Sequence, residues 1–292
     1  MTAPAPSDDR AILSILEPLV LDAGRRIVEI AAEGFSTETK ADCSPVTRAD
    51  REAEAILLSG LRRSFPGVPV VAEEESAAGL APRAAAGVFF LVDPLDGTRE
   101  FVRGGDDYTV NIALIRAGVP AVGAVYAPAC RQLYLGRPGF AELVETDTGH
   151  LPVSRREIRA RQAPARPVVV ASRSHGTPAT EDYIAGLGAV ERCAIGSSLK
   201  FCLLAAGRAD IYPRMGRTMQ WDVAAGDAVL RAAGGMTRTL DGATLAYGAG
   251  IVAGDAPFAS PHFVARGAGR DEAARRHGTD AAPVRSADEQ RG

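Results

Sequence analysis

Acidic residues cluster at four places where a strand is expected to end or a helix to begin. These are Asp50, Glu73-Glu74, Asp93 with Asp96, and Asp222. Hard divalent cations prefer oxygen ligands, and Mg²⁺ in particular is held by a few carboxylates together with water and substrate phosphate. If the four places meet in the folded chain, the sequence predicts a magnesium site that acts on a phosphate ester.

The centre of this prediction is the segment Asp93-Pro94-Leu95-Asp96-Gly97-Thr98. It follows directly on an apolar run that is typical of a buried strand. Both aspartates can turn toward one cavity, and the carbonyl group of the leucine between them can serve as a neutral ligand. The glycine lets the chain approach a phosphate closely, and the threonine adds a hydroxyl group.

Each acidic group also has a simpler interpretation. Asp96-Gly97 is a common turn dipeptide, and a run of glutamates usually lies on a solvated surface. Asp50 could form only a capping box with Thr47, and Asp222 could merely cap its helix. For any one group alone the simpler interpretation is preferred, but their combination in this order and spacing favours the metal site.

Two other acidic motifs do not fit the segment. An EF-hand loop needs acids at alternate positions, a glycine at the sixth position and a late glutamate, which residues 93–104 lack. The haloacid dehalogenase motif Asp-x-Asp-Gly-Thr places its acids two apart, whereas Asp93 and Asp96 are three apart. A covalent aspartyl-phosphate intermediate is therefore not expected.

The 292 residues carry a formal net charge of −3. No global basic field would attract a nucleic acid polymer, so local cations must hold any anionic substrate. Only Lys40 and Lys200 are lysines among the 33 basic residues, which suggests a specific role for each. The sequence lacks signal-peptide features, any apolar run of about 18 residues, and metal-type cysteine spacing. We expect a cytoplasmic protein without a transmembrane segment, with at most a peripheral membrane association.

Periodicity predicts helices over 8–33 (kinked or divided at Pro18), 50–64, 197–206 and 222–233. Apolar runs predict strands over 68–72, 88–92, 108–115, 121–126 and 167–171. The polar stretch 146–166 is typical of a linker between two lobes, an α+β metal-binding lobe (8–150) and an α/β substrate-binding lobe (151–266). Residues 1–7 and 267–292 are expected to be disordered. The combination indicates a layered α/β or α+β protein.

Several stretches resemble the inositol monophosphatase superfamily of lithium-sensitive, magnesium-dependent phosphatases, and most closely its bacterial 3′(2′),5′-bisphosphate nucleotidase branch, the CysQ family. The shared stretches are 40–50, 72–75, 92–101, 108–115, 172–175, 195–202, 212–214 and 221–226. They extend over about residues 10–266. Small departures are Arg99, where the branch usually has lysine, and Val223, where it often has threonine.

The resemblance implies the α-β-α-β-α sandwich of this superfamily, with the site between the two lobes. It implies two or three Mg²⁺ ions, whose ligands would be Glu73, Asp93, the Leu95 carbonyl, Asp96 and Asp222. Asp50 and Thr98 would be the catalytic residues that position and deprotonate the attacking water. No covalent intermediate is expected.

The predicted substrate contacts form two groups. Those at the scissile phosphate are Glu73, Leu95, Asp96, Gly97, Thr98 and Asp222. Those for the rest of a nucleotide are Ser172, Ser174, His175, Ser198, Lys200 and Arg214. For the second group simpler roles stay open, such as a surface ion pair for Arg214 or a loop cap for His175.

The implied reaction removes the 3′-phosphate of adenosine 3′,5′-bisphosphate, or of its phosphosulfate relative, in sulfur assimilation. Hydrolysis of inositol monophosphate or fructose 1,6-bisphosphate on the same catalytic site is the first alternative. A catalytically silent regulatory protein is the second. We expect a monomer or homodimer that acts on a small phosphate ester.

Overall fold

The computed structural model of the chain describes residues 8–40, 44–82, 87–173 and 176–269. The predicted lead 1–7, all but residues 267–269 of the predicted tail, and Cys43 lie outside these ranges. The other cysteines, Cys130, Cys193 and Cys202, are free thiols. Among the described helices, none is both long enough and apolar enough to cross a bilayer.

Two long helices open the fold, α1 (Asp9–Glu33) and α2 (Arg48–Ser64). Asp8 caps α1 by accepting hydrogen bonds from two backbone N–H groups of its first turn. α1 is one continuous helix, so Pro18 does not divide it. α2 begins two residues before the predicted start because Thr47 is its N-cap.

A short hairpin of β1 (Thr37–Thr39) and β2 (Pro45–Thr47) precedes α2. The chain then builds a seven-stranded sheet in the order β3-β4-β5-β6-β7-β8-β9, in which β3 and β4 are parallel. Its strands are β3 (Val70–Ala72), β4 (Val88–Asp96), β5 (Thr109–Arg116), β6 (Val119–Ala127), β7 (Gln132–Arg137), β8 (Phe140–Thr146) and β9 (Pro152–Glu157). The helices α3 (Glu73–Ala77) and α4 (Thr98–Val102) follow β3 and β4 directly.

The predicted linker over 146–166 is wrong in part, because residues 152–157 form β9 and pair with β8. All side chains of β9 are exposed, so the strand lacks the apolar alternation by which a half-buried strand is found in a sequence. The two-lobe division at residue 150 stays a prediction. The first sheet itself continues to Glu157.

A five-stranded sheet follows, in the order β11-β10-β12-β14-β13. Its strands are β10 (Val168–Ser172), β11 (Glu191–Ile195), β12 (Ile211–Arg214), β13 (Met236–Thr239) and β14 (Phe263–Arg266). The associated helices are α5 (Pro178–Gly186), α6 (Leu199–Ala205) and α7 (Gln220–Ala232). Arg214, which none of the predicted strands includes, lies in β12, because residues 211–214 pair with β14.

The layers follow from what each element buries. α1 and α2 cover one face of the seven-stranded sheet and share a core that includes Leu16, Leu57 and Phe90. α7 packs against the other face, and its core continues through α6 to the second sheet. α5 packs on the outer side of that sheet through Ile184. The predicted α-β-α-β-α sandwich is confirmed.

Two glycines allow α7 to lie close against the seven-stranded sheet. A Cβ atom at Gly123 in β6 would lie 2.4 Å from the Ala225 carbonyl oxygen. A Cβ atom at Gly136 in β7 would lie 2.6 Å from the Cα atom of Val229. Both contacts are with the backbone of α7, so relieving them requires the helix to move. The position of Asp222, in the first turn of α7, therefore depends on glycine in the sheet below.

We predict that Gly123→Ala destabilises the protein by about 1–3 kcal/mol, because overpacking forces α7 away from β6. The melting temperature should fall by roughly 2–4 °C per kcal/mol, measured by calorimetry or circular dichroism. Gly186→Ala is the control, since nothing lies within 4 Å of a Cβ atom there. Equal melting temperatures for the two variants would contradict close packing at Gly123.

Candidate active site

One cleft of about 300 Å³ collects the predicted site residues from both sheets. The predicted residues that line it are Glu73, Asp93, Leu95, Asp96, Gly97, Thr98, Ser172, Ser198, Lys200, Arg214 and Asp222. Asp50 is buried and hydrogen-bonded to the cleft residue Thr98. Ser174 and His175 lie outside the described residues. Three of the four acidic places of the sequence therefore line one cleft, and the fourth, Asp50, contacts it through Thr98.

The turn at the end of β4 is held by its own polar groups. The Leu95 N–H donates to Asp93 Oδ1 at 3.0 Å, and the Leu95 carbonyl oxygen lies 3.0 Å from the Thr98 hydroxyl. Gly97 has φ 96°, and a Cβ atom there would lie 2.7 Å from the Asp107 carbonyl oxygen. Only glycine meets both conditions without strain, so α4 can begin directly at Thr98.

Asp50 forms the helix cap that the sequence suggested and also contacts Thr98. Its Oδ2 atom accepts from the Thr47 N–H at 2.7 Å and from the Thr47 hydroxyl at 2.8 Å, which forms the predicted capping box. Its Oδ1 atom lies 3.0 Å from the Thr98 hydroxyl, which can donate to it. The cap therefore holds the carboxylate with one oxygen directed at Thr98. Burial raises the pKa of Asp50, and these hydrogen bonds act in the opposite direction.

Glu73 is the first residue of α3, directly after β3. The buried carboxylate of Glu54, on α2, accepts the backbone N–H groups of Glu74 and Glu75 at 2.8 and 2.9 Å. It thereby caps α3 from a neighbouring helix. The Lys40 ammonium group lies 2.7 Å from Glu73 Oε1 and also contacts Glu74. The glutamate run is therefore not the solvated surface of the simpler interpretation.

Asp222 lies in the first turn of α7, on the other side of the cleft. Its Oδ2 atom accepts the Thr218 hydroxyl at 2.7 Å and the Met219 N–H at 3.0 Å. The Ser198 hydroxyl lies 2.9 Å from Asp96 Oδ2 and 2.7 Å from the Asp222 carbonyl oxygen. Ser198 therefore connects the end of β4 to the start of α7.

Crowding and burial raise the pKa values of the acidic cluster. Burial, followed by the charges of Glu73, Asp96 and Asp222, raises the pKa of Asp93 well above its usual range. Burial and the charge of Asp222 raise the pKa of Asp96 to about 6, against the effect of Lys200. Burial raises the pKa of Glu73 to about 8, against the effect of Lys40. Burial is therefore the main cause of the raised pKa values, and repulsion among the carboxylates adds to it.

The donor chemistry of the cleft suits a hard divalent cation. Five carboxylate residues and Leu95 line it, with no histidine or cysteine among its described lining residues; the carboxylates are Glu73, Asp93, Asp96, Glu100 and Asp222. These are oxygen donors of the type that Mg²⁺ prefers. Among the described residues, no three Asp, Glu, His or Cys side chains are arranged so that they could hold a metal ion together. Glu73 contacts Lys40, and Asp222 contacts Thr218.

The opposite side of the cleft carries two buried cations. Arg214 is 8% exposed and Lys200 is 4% exposed. Arg214 donates to the Arg217 carbonyl oxygen at 2.9 Å, and its Nε atom has no hydrogen-bond partner. Lys200 donates to the carbonyl groups of Ile195 and Ser197 and lies over the Tyr212 ring. The surface ion pair proposed as the simpler role of Arg214 is not present among the described residues.

Four neighbours of the site were not identified as site residues from the sequence: Glu54, Asn111, Arg217 and Thr218. Arg217 and Thr218 line the cleft, whereas Glu54 and Asn111 act on a backbone group or another side chain. Nothing in the local sequence distinguishes any of the four. Lys40 is different. It was noted as one of two lysines in an arginine-rich chain, and that composition signal is the one that pointed to it.

Oxygen ligands facing buried cations in one cleft suit the hydrolysis of phosphate esters, and this layered fold with such a site defines a phosphatase. Residues 8–267 match the inositol monophosphatase family. The chain belongs to this family, and within it to the CysQ group. It is therefore an enzyme of the hydrolase class.

Relatives and solved structures support this placement. The 3′(2′),5′-bisphosphate nucleotidase CysQ of Escherichia coli (strain K12) is 42% identical over 231 residues, which are 78% of this chain and 91% of that protein. The protein of the same name from Buchnera aphidicola is 39% identical and covers 82% of this chain and 88% of its own length. The crystal structure of CysQ from Bacteroides thetaiotaomicron has 33% identity and a TM-score of 0.73, covering 89% of this chain and 98% of that chain.

We predict that Asp50→Asn lowers kcat by about 10²–10⁴-fold, the usual contribution of a general base. The amide lacks the negative charge needed to take a proton through Thr98. The measurement is steady-state phosphate release from any monoester that the wild-type protein hydrolyses.

Thr47→Ala is the matched control for the capping role of Asp50. Loss of the cap hydroxyl should cost about 0.5–2 kcal/mol of stability and change kcat only a few-fold. A similar loss of kcat in both variants would show that Asp50 acts through the helix cap and not as a base.

Proposed function

We propose that this phosphatase is a magnesium-dependent 3′(2′),5′-bisphosphate nucleotidase. Its substrates would be adenosine 3′,5′-bisphosphate and 3′-phosphoadenosine 5′-phosphosulfate, from which it removes the 3′-phosphate. The observation that carries the proposal is the pair Lys200 and Arg214, two buried cations without a carboxylate ion pair among the described residues, facing the acidic cluster across one cleft. The activity for which the CysQ relatives are named agrees with it.

A second anionic group on the substrate explains these cations. Removing a charge from water costs several kcal/mol unless a counter-charge is present. Arg214 has an unpartnered Nε atom and only a carbonyl group as acceptor, so its site is suited to an anionic ligand. A guanidinium group and an ammonium group together match a phosphate or sulfate group. A bisphosphate nucleotide has one such group beyond the phosphate that is hydrolysed.

The acidic side would hold the scissile phosphate together with two or three Mg²⁺ ions. The residues that would hold the metal are Glu73, Asp93, the Leu95 carbonyl, Asp96 and Asp222. When bound, Mg²⁺ neutralises phosphoryl oxygens, lowers the pKa of water and stabilises the leaving oxygen. Glu73 would exchange its contact with Lys40 for this role.

Asp50 would accept the proton of the attacking water, and Thr98 would pass it on. When the Thr98 hydroxyl donates to Asp50 Oδ1, its oxygen lone pairs are free to accept a hydrogen bond from water. Transfer of the water proton through Thr98 to Asp50 would then generate the nucleophile. Because one general base contributes only about 10²–10⁴-fold, most of a barrier reduction on the order of 20 kcal/mol must come from charge stabilisation.

Hydrolysis of inositol monophosphate or fructose 1,6-bisphosphate is the second candidate. The acidic side of the cleft serves either reaction, and solved inositol monophosphatases share the fold at 20–23% identity. Inositol monophosphate has an uncharged remainder and would leave Arg214 without a counter-charge, whereas the second phosphate of fructose 1,6-bisphosphate would supply one, so only the assay separates that sugar from the nucleotides. A catalytically silent protein would have no need of the Asp50–Thr98 pair. We further propose a cytoplasmic location and a monomer or homodimer.

The test is phosphate release from adenosine 3′,5′-bisphosphate, its phosphosulfate, inositol 1-phosphate and fructose 1,6-bisphosphate, with Mg²⁺ and with chelator. We expect the nucleotides to be preferred and chelation to abolish activity. Arg214→Ala should raise KM for the nucleotides about tenfold or more, since hydrogen bonds to charged groups contribute about 1.5–3 kcal/mol. Its KM for inositol 1-phosphate should not change.

Arg192→Ala is the matched control, because this arginine forms an exposed ion pair with Glu181 away from the cleft. An equal rise of KM on all substrates in Arg214→Ala would overturn the second-anion site. Activity that survives full chelation would overturn the metal requirement. No release from any of the four esters would favour the silent protein.

The pKa of Lys200 predicts a pH dependence. Burial lowers this pKa to about 8, against the effect of Asp96 and together with the effect of Arg214. Lys200 is therefore charged below pH 8 and loses its charge above it. We expect KM for adenosine 3′,5′-bisphosphate to rise between about pH 7 and pH 9, roughly one unit on either side of this pKa, in initial-rate measurements at saturating Mg²⁺.

Lys200→Met should show a high KM for the bisphosphate that is flat over this range. KM for inositol 1-phosphate should stay flat in both proteins. A parallel rise on both substrates would place the titrating group on the metal side of the cleft instead.

A further inference from the structure

Ser198 was predicted as a substrate contact, but its hydroxyl group is surrounded by protein. The residue is buried, and three polar groups lie around its Oγ atom. The Asn111 Nδ2 group donates to it at 3.0 Å. Asp96 Oδ2 lies at 2.9 Å and the Asp222 carbonyl oxygen at 2.7 Å.

The direction of these bonds matters. Asn111 donates to the serine oxygen, so the single hydroxyl proton of Ser198 must be used toward Asp96 or toward the Asp222 carbonyl oxygen. Both acceptors belong to residues that the proposed function makes metal ligands. A hydroxyl group that is held in this way has no proton left for a substrate.

Asn111 is itself fixed by the sheet. It lies in β5, directly opposite Asp93 in the register of β4, and is buried. The irregularity of this pairing lies between Asp93 and Asp96. The side-chain amide of Asn111 therefore reaches Ser198 from a rigid strand beneath the acidic cluster.

Asp96 and Asp222 belong to different layers of the fold, and their negative charges repel each other. The charge of Asp222 contributes to the raised pKa of Asp96. A cationic partner would hold Asp96 but would also compete with a metal ion for its charge. A neutral hydroxyl group holds one carboxylate oxygen and leaves the negative charge available.

We propose that Ser198 and Asn111 are positioning residues for a divalent-cation site: Ser198 holds Asp96 next to the start of α7, and Asn111 holds Ser198. This inference depends on the proposed function only in taking the acidic cluster as a cation site. It does not depend on the identity of the phosphate ester. Outer residues that orient metal ligands typically contribute 10–100-fold to metal affinity.

The experiment measures Mn²⁺ binding to the full-length protein without substrate, by the EPR signal of the free ion. Ser198→Ala should weaken binding about tenfold or more. Asn111→Leu, which has a similar volume but no amide donor, should weaken it in the same direction. Because Asn111 acts through Ser198, the double variant should bind like Ser198→Ala alone, whereas independent effects would multiply.

Thr237→Val is the matched control, since Thr237 has a buried, unpartnered hydroxyl group in β13. It should leave Mn²⁺ binding unchanged. Circular dichroism and thermal unfolding without metal show whether each variant is folded. If Ser198→Ala does not fold, Mn²⁺ binding is measured on Asn111→Leu and on Ser198→Cys, whose thiol group is a weak hydrogen-bond donor.

The outcomes separate this inference from the proposed function. If wild-type protein binds no Mn²⁺, the metal site and the positioning roles both fail. If wild-type protein binds Mn²⁺ and Ser198→Ala binds it equally, only the positioning roles fail. If Ser198→Ala binds Mn²⁺ normally but has a higher KM for adenosine 3′,5′-bisphosphate, Ser198 is a substrate contact, as the sequence first indicated. Multiplicative effects in the double variant would overturn the role of Asn111.

Discussion

Four carboxylates must be held close together in a partly buried cleft, and the architecture around them follows from that constraint. Left to themselves, like charges at such a site protonate or move apart. Here Asp93, Asp96 and Asp222 are each held by neutral donors, namely a backbone N–H group, a serine hydroxyl group and a threonine hydroxyl group. Neutral donors fix geometry without cancelling the charge. Glu73 is the exception, since Lys40 contacts it directly.

The layered core supplies the rigidity that these contacts need. The acidic residues lie at the ends of elements: Asp93 and Asp96 at the end of β4, Glu73 after β3, and Asp222 at the start of α7. Each element is buried along its length, so its end has little freedom. The Asp50 carboxylate makes two contacts at once: one oxygen belongs to the cap of α2, and the other faces Thr98. The cap that stabilises the helix is thus also the support of the candidate base.

The two buried cations of the cleft form no ion pair with a carboxylate among the described residues, in contrast to Lys40 with Glu73. Lys200 and Arg214 are buried on the side of the second sheet, and their acceptors are carbonyl groups. Carbonyl groups satisfy the N–H donors but leave the positive charge uncompensated. The cleft therefore has a negatively charged side, the acidic cluster, and a positively charged side, formed by Lys200 and Arg214. Under the proposed function, metal ions would cover the acidic side, and a substrate with two anionic groups would then match both sides of the cleft.

The local sequence determined much of the fold and most of the candidate site. Apolar periodicity correctly predicted α1, α2 and α7, because each buries a stripe against the first sheet. The acidic positions and their approximate strand or helix ends were identified from residue type and spacing. The exposed strand β9 was missed, because an edge strand with no buried face has no apolar alternation and depends on pairing with β8.

Residue chemistry therefore determined by itself which groups could bind a metal and take a proton, since carboxylates and hydroxyls carry those properties in any fold. Tertiary structure decided which partner each group has. The contacts of Lys40 with Glu73, of Glu54 with the start of α3, and of Ser198 with Asp96 join residues that are 20 to 102 positions apart in the chain. Contacts across such separations depend on how layers pack, and no local pattern of residues records that packing.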